Sequence, residues 1–407
     1  MGYYDELDRE VDRDLGVEPE VERPHVPSRM SRMWKRLSRF VMDCGRVGAK
    51  IVFFPVIGSI RFSPRFDADG NPKETRSFVQ RIAEGLATRL MLTPVVLGLF
   101  FIAIVWLTTH PTQVQARQTP HAIGLTYQTV HLQSNDGQAI QGWYIAPLTA
   151  DDVLLQGEAV LTEKRPAVVL VHGLGATHDE YLPLARQLHN AGFAVLMLSL
   201  RGQGESGAGA VTFGLRERFD VLAGVNYLRD LPLVDGEKIT LVGSGIGAAA
   251  VLHAAVLDRS IRAVVVDGLW PSFSAWTRQI FAQPTVPTQW LAPLYEVTFE
   301  LAMRERTGEL DATALVRRLH KQNVLFIVRN APDQPPVADS LALAAATTVP
   351  HDVIVLGGGM GVGGAGHVAG TQADDGIVKF LATSMGWDGP HANVPESVRE
   401  LLKAKVK

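Results

Sequence analysis

The stretch LVGSGIGAAA, residues 241–250, holds the pattern that decides the fold. It continues the apolar run Lys238–Val242, which has the length and composition of a strand buried on both faces. Three closely spaced glycines then lead the chain into a helix. A buried strand that turns sharply into a helix is the repeating unit of a parallel α/β sheet.

Similar units lie on both sides of this stretch. The segment His178–Asn190 has helical spacing between two apolar runs, and the turn Asn135-Asp136-Gly137 joins two alternating segments as a β-hairpin. The whole region therefore predicts a doubly wound, mostly parallel α/β sheet over residues 119–390. The remaining predicted strands are Thr126–Leu132, Gln138–Ala146, Ala167–Val171, Ala194–Leu198, Ala263–Val266, Val324–Val328 and Val353–Leu356.

Four glycine-containing turns follow four of these strands along the chain. They are HGLG at 172–175, RGQGES at 201–206, VGSGIG at 242–247 and GAGH at 364–367. In this order the chain resembles the α/β-hydrolases, and most closely their bacterial esterase-like and peptidase-like branch. The resemblance implies that VGSGIG stands in the place of the nucleophile elbow GxSxG.

The resemblance also implies a set of site residues. Gly245 occupies the position of the nucleophile serine, while Asp333 and His367 stand in the family's order as the acid and the histidine of a remnant triad. A register one residue different would make Ser244 the nucleophile. The family's oxyanion hole corresponds here to backbone amides at Gly173, Leu174 and Ile246.

Two functions remain open from these residues. A glycine nucleophile position predicts a catalytically impaired pseudoenzyme that serves as a binding or assembly module. The alternative is an active serine-type or water-activating hydrolase of esters, amides or peptides that uses Ser244 or His367. The aromatic segment 268–323 is expected to form a helical cap that suits an apolar ligand or a protein partner, and the oxyanion amides favour a small anion.

The residues before this region predict a membrane protein. Residues 1–27 form an acidic tail, 28–88 a basic amphipathic or interfacial region and 89–109 a transmembrane helix, and 391–407 form a C-terminal tail. The basic region is expected to bind membrane lipid or a protein partner. Because basic residues dominate before the apolar segment, the N-terminus is predicted to be cytoplasmic and the α/β domain extracytoplasmic.

Composition narrows the remaining classes of partner. The formal net charge is −3, which gives no reason to expect nucleic acid. Cys44 is the single cysteine, so neither an internal disulfide nor a cysteine-based metal cluster is possible. No metal and no cofactor is predicted.

Overall fold

The structure is a computed structural model that describes residues 78–148, 152, 160–282, 288–331, 334–356 and 372–390. The predicted acidic tail, the basic amphipathic region and the C-terminal tail lie outside these residues. The described fold consists of the α/β region and of one long helix that precedes it.

Eight strands form one mixed sheet in the order β1-β2-β4-β3-β5-β6-β7-β8. β1 and β2 form the predicted antiparallel hairpin, β2 also runs antiparallel to β4, and all further pairs are parallel. The predicted doubly wound sheet is confirmed. The strands are β1 Gln128–Gln133, β2 Ala139–Ile145, β3 Arg165–Val171, β4 Ala194–Ser199, β5 Val234–Ser244, β6 Ala263–Asp267, β7 Asn323–Arg329 and β8 His351–Leu356.

Nine α-helices occur in the described part of the chain, and several of them cover the two faces of the sheet. One face packs against α3 and α4, and the other packs against α2 and α9. Residues of β3 and β4 are fully buried, which explains why these strands read as continuous apolar runs. The helices are α1 Phe78–Thr109, α2 Leu182–Asn190, α3 Glu217–Arg229, α4 Ile246–Leu257, α5 Phe273–Ile280, α6 Ala292–Met303, α7 Ala312–Val316, α8 Val337–Ala345 and α9 Gln372–Met385.

The helices α5, α6 and α7 lie between β6 and β7. α5 and α6 pack on each other and are called the cap, whereas α7 packs on α4 and α8. The aromatic residues of the cap pack mainly against one another, with ring centroids of Phe273 and Phe299 4.9 Å apart. Phe213 also joins this cluster through Trp276, at 4.5 Å between centroids. Phe213 has a φ of 58°, an unfavourable conformation for a bulky residue, and the surrounding rings hold it there.

The structure describes the helix α1 from Phe78 onward, eleven residues before the predicted transmembrane segment. Its part Leu90–Thr109 is long and apolar enough to span a membrane, and only 17% of that apolar window is buried. The structure packs the last turns of this helix on the α/β region. The Thr108 and Tyr295 hydroxyls lie 2.7 Å apart, and the Val211 N–H donates to the Thr109 carbonyl at 2.7 Å.

Candidate active site

The sharp turn after β5 is centred on Gly245. Its φ of 53° and ψ of −113° lie in a region that residues with a Cβ hold at a cost of roughly 1–3 kcal/mol. The Gly245 N–H donates to the Asp267 carbonyl at 2.9 Å, which ties the turn to the end of β6. α4 begins at the next residue, so the chain turns from strand to helix within one residue.

The glycines on either side of this turn are required by close backbone contacts. A Cβ on Gly243 would lie 2.4 Å from the Gly247 carbonyl oxygen. A Cβ on Gly247 would lie 2.4 Å from the Val171 carbonyl oxygen and 2.6 Å from that of His172. Gly245 is therefore the apex of a turn in which the residues two positions before and after it, Gly243 and Gly247, must also be glycine. The same contacts bring the elbow directly against the loop after β3.

Ser244 lies beside the apex but is directed elsewhere. Its side chain is 2% exposed, and as the second residue after Val242 it shares the sheet face covered by α2 and α9. The Ser244 Oγ donates to Glu180 Oε1 at 3.3 Å, and Tyr181 is a further hydrogen-bond partner. This hydroxyl is buried beneath the sheet edge and is engaged with neighbours there.

The loop 172–175 is held by a neutral histidine. The His172 Nδ1–H donates to the Gly173 carbonyl at 2.8 Å, and Nε2 accepts from the Leu200 N–H at 3.2 Å. Burial lowers the pKa of His172 to about 4, so the neutral ring that this bonding needs is present at neutral pH. The Gly175 N–H donates to Gln203 Oε1 at 2.7 Å.

The amides implied for an oxyanion site therefore have a fixed frame. Gly173 and Leu174 are buried in this loop, and Ile246 is the first residue of α4. The first N–H groups of a helix have no intrahelical acceptor, so the Ile246 amide is available to an anion by geometry. The contact of Gly247 with His172 places this helix start next to the loop.

The turn 201–206 has a structural role. Arg201 is 3% exposed and bonds to Asp220 and Asp136 through its guanidinium group. These carboxylates raise the pKa of Arg201 against the opposing effect of burial. Ser206 Oγ donates to the Ser199 carbonyl at 2.6 Å and accepts from the Gln141 N–H at 2.9 Å. The turn thus joins β2, β4 and α3.

Sequence reasoning missed three charged residues near the elbow. Asp267 and Arg329 end the neighbouring strands β6 and β7 and form a buried ion pair, with Arg329 Nε 2.8 Å from Asp267 Oδ1. Glu180 reaches Ser244 from the segment before α2. The position of Asp267 and Arg329 at the carboxyl ends of parallel strands, where functional groups collect, was the available signal.

Asp333 and His367 lie outside the described residues, so their place at the site stays a prediction. Gln334, which follows Asp333, is 9% exposed and lies against Gly268, where an added Cβ would meet Gln334 Oε1 at 2.0 Å. The chain after β7 therefore returns to the same sheet edge as the elbow. Among the described residues, no group of three or more His, Cys, Asp or Glu could hold a metal ion.

Comparison with curated proteins gives partial matches. The chain is 29% identical over 104 residues to an uncharacterized 31.7 kDa protein from the traX-finO intergenic region of Escherichia coli, covering 25% of this chain and 36% of that protein. It is 31% identical over 122 residues to the thiohydrolase aneE of Aspergillus aculeatus, covering 29% of this chain and 38% of the relative. The matches span less than two fifths of the length of either relative.

Comparison with solved structures shows a shared fold over a larger part of the chain. An esterase of Pyrococcus furiosus matches with a TM-score of 0.50 at 18% identity, covering 69% of this chain and 98% of that one. A hypothetical protein of Pseudomonas aeruginosa matches with a TM-score of 0.50 at 16% identity, covering 67% and 100%. A profile of the alpha/beta hydrolase family matches residues 168–400, which is more than half of the chain. The protein therefore belongs to the alpha/beta hydrolase family.

Proposed function

We propose that this protein is a membrane-anchored member of its family that has lost covalent catalysis and serves as a binding or assembly module. The observation that carries the proposal is Gly245 at the apex of the elbow, with Gly243 and Gly247 in their tightly packed places on either side. The apex is where the family presents its nucleophile, and glycine offers no hydroxyl there.

The loss has a large chemical consequence. Without an alkoxide no acyl-enzyme forms, and in a triad enzyme removal of the nucleophile lowers turnover by roughly a million-fold. Asp333 and His367 would then be remnants, or His367 would at most activate water over the amides of Leu174 and Ile246. Those amides would still favour a carboxylate or another small anion beneath the cap.

The active alternative rests on one contact. Ser244 Oγ lies 3.3 Å from Glu180, a carboxylate that could accept its proton. An enzyme of this kind would act on esters, amides or peptides, and the likeness to a thiohydrolase adds thioesters to the substrates worth testing. Burial of Ser244 to 2% exposure favours the first proposal, because a nucleophile must reach its substrate.

Labelling with a serine-reactive fluorophosphonate distinguishes the two functions. The full chain in detergent should remain unlabelled, and Gly245→Ser should gain labelling or an acyl-enzyme burst with activated esters if the rest of the site is intact. Gly245→Ala is the matched control, because it adds the same backbone cost without a hydroxyl. Labelling of the wild type that disappears in Ser244→Ala would reject the pseudoenzyme and establish a functioning serine hydrolase.

We further propose that Leu90–Thr109 crosses a membrane once, with the N-terminus in the cytoplasm and the α/β domain outside it. The support is the helix itself and the excess of basic residues that precedes it. A reporter that functions only after export, fused behind Lys407 and expressed in bacterial cells, should be active. Activity of a cytoplasm-only reporter at the same position would reverse the orientation.

A further inference from the structure

The cap carries an exposed apolar surface on its second helix. The side chains of Trp290, Leu294, Val297 and Leu301, here named the apolar cap face, are 67%, 39%, 55% and 76% exposed. They recur every three or four residues along the short turn Gln289–Leu291 and the helix α6 that follows it. This spacing places them in one stripe along one side of the helix.

The charged residues of α6 are directed away from this stripe. Glu296 accepts hydrogen bonds from Ser274 Oγ at 2.7 Å and from Thr277 Oγ1 at 2.6 Å. Glu300 accepts from the backbone N–H and the hydroxyl of Thr307, at 2.8 and 2.7 Å. Both carboxylates are thus held by groups of the cap itself, on a different side of α6 from the four apolar side chains of the stripe. Such a surface on a water-soluble domain is costly to leave in water.

The opposite side of α6 contacts the apolar helix α1. Tyr295 bonds to Thr108, and a series of ring contacts leads from Tyr295 through Phe281 to Phe101, with centroid distances of 6.0 and 6.4 Å. Phe101, Ile104 and Val105 are at most 2% exposed as a result. Contact therefore extends along α1 at least from Phe101 to its end at Thr109, which is about 12 Å of helix.

The length of α1 determines the depth in the membrane at which this contact would lie. The apolar segment begins after Arg89 and ends at Thr109, so it contains 20 residues, or about 30 Å of helix, which only just matches the hydrocarbon thickness. If the part in contact with the cap were outside the membrane, the residues from Leu90 to Phe100 would span only about 16 Å. That length is too short to cross, and the charge of Arg89 prevents the span from shifting toward the N-terminus.

We propose that the apolar cap face lies within the same lipid leaflet as the last turns of α1. This inference rests on the proposed membrane anchor and adds a defined lipid-contacting surface to it. The exposed apolar side chains of α1 and the apolar cap face of α6 would then both contact lipid. Arg304 and Arg306, both exposed just beyond the end of α6, are placed to meet phosphate headgroups at its edge.

Depth-dependent fluorescence quenching tests the proposal on the full chain in phosphatidylcholine–phosphatidylglycerol vesicles. Because Cys44 is the single cysteine, a Cys44→Ser background allows one environment-sensitive label at a time. The labels are placed at Val297→Cys and Leu301→Cys on the cap face, and at Leu99→Cys on the exposed side of α1. The matched control is Leu257→Cys at the end of α4, which is 52% exposed but distant in the chain from both helices.

The proposal expects lipid-borne spin labels to quench positions 297 and 301 several-fold more than position 257, with position 99 quenched as well. Quenching at 99 alone would keep the anchor and overturn the immersed cap. No quenching at 99 would reject the anchor itself. If 297 and 301 were shielded from water without lipid quenching, and cross-linked between molecules, a second copy of the chain would be the occupant, and the proposal would likewise fail.

Discussion

The turn at 201–206 and the elbow at 243–247 are built alike and differ in what they retain. Both follow strands of the parallel part of the sheet, and both use glycines at close backbone contacts, such as Gly202 against Gly209 and Gly247 against Val171. At 201–206 the polar side chains of Arg201, Gln203 and Ser206 are all hydrogen-bonded. At the elbow the apex has no side chain. The glycines that shape the backbone are present in both turns, whereas the apex of the elbow carries no side chain.

The largest effect on stability is expected when Arg201, in the turn 201–206, is replaced by an uncharged residue. Arg201→Met would leave Asp220, which is fully buried, without its charge partner, and we expect the free energy of unfolding to fall by about 3–5 kcal/mol. Denaturant unfolding of the two proteins in the same detergent measures this. Asp136→Asn removes the more exposed partner of Arg201, with a side chain 34% exposed, and should cost about 1 kcal/mol or less. Equal losses in both variants would show that the turn is not held as described.

A second test concerns the loop 172–175, which contacts both turns. His172 has a pKa of about 4 in the folded chain against 6.5 when unfolded, because burial disfavours its charged form. Between these pH values the unfolded chain binds more protons, so the free energy of unfolding should fall as pH falls from 6.5 through about 4. The contribution of this one residue is at most about 3 kcal/mol.

The variant His172→Gln isolates that contribution. Glutamine does not titrate, so the slope between pH 6.5 and 4 should decrease. His178 and His253, whose pKa values burial also lowers to about 4, should still contribute to the slope, and Asp220, whose pKa burial raises to about 6, should oppose it. Stability curves recorded at several pH values provide the measurement. An unchanged slope in the variant would mean that His172 is not neutral and buried in the folded state.

A third test concerns the apex of the elbow. Gly245→Ala places a Cβ on a residue with a φ of 53°, and we expect a loss of about 1–3 kcal/mol in the free energy of unfolding. Gly308→Ala is the control, since a Cβ there meets nothing within 4 Å. A loss no larger than in the control would show that the elbow is relaxed, and that it no longer carries the strain expected of a nucleophile position.

Much of the fold was readable from local pattern. The apolar runs predicted every parallel strand, and the turn at Gly137, whose φ is 83°, predicted the hairpin. The elbow was readable because its three glycines lie within five residues and the steric requirement on Gly243 comes from Gly247, whereas the requirement on Gly247 comes from Val171 and His172, which are distant in the sequence. The register with Gly245 at the apex follows from the same local contacts, although its catalytic meaning stays a proposal. Asp333 and His367 stay predictions, since the structure does not describe them.

The features that were missed depend on residues far apart in the sequence. Asp267 and Arg329 are 62 positions apart and meet only because β6 and β7 are neighbours in register. Thr108 and Tyr295 are 187 positions apart, so no periodicity within α1 could indicate that one of its sides packs on the cap. An apolar helix has the same sequence pattern whether one of its sides faces lipid or packs against aromatic side chains.

The hydrogen bond from Val211 to the Thr109 carbonyl has a consequence for how this protein meets other molecules. Many membrane-anchored domains are attached through a flexible linker, so they can move through a volume of solution next to the membrane. Here the helix ends on the domain itself, and the next residues continue along its surface, with the Ala116 N–H donating to Glu205 at 3.1 Å. With α1 in a bilayer, the domain would have a fixed tilt and almost no reach. Its encounters would be confined to two dimensions, with molecules that already reside in or on the same membrane.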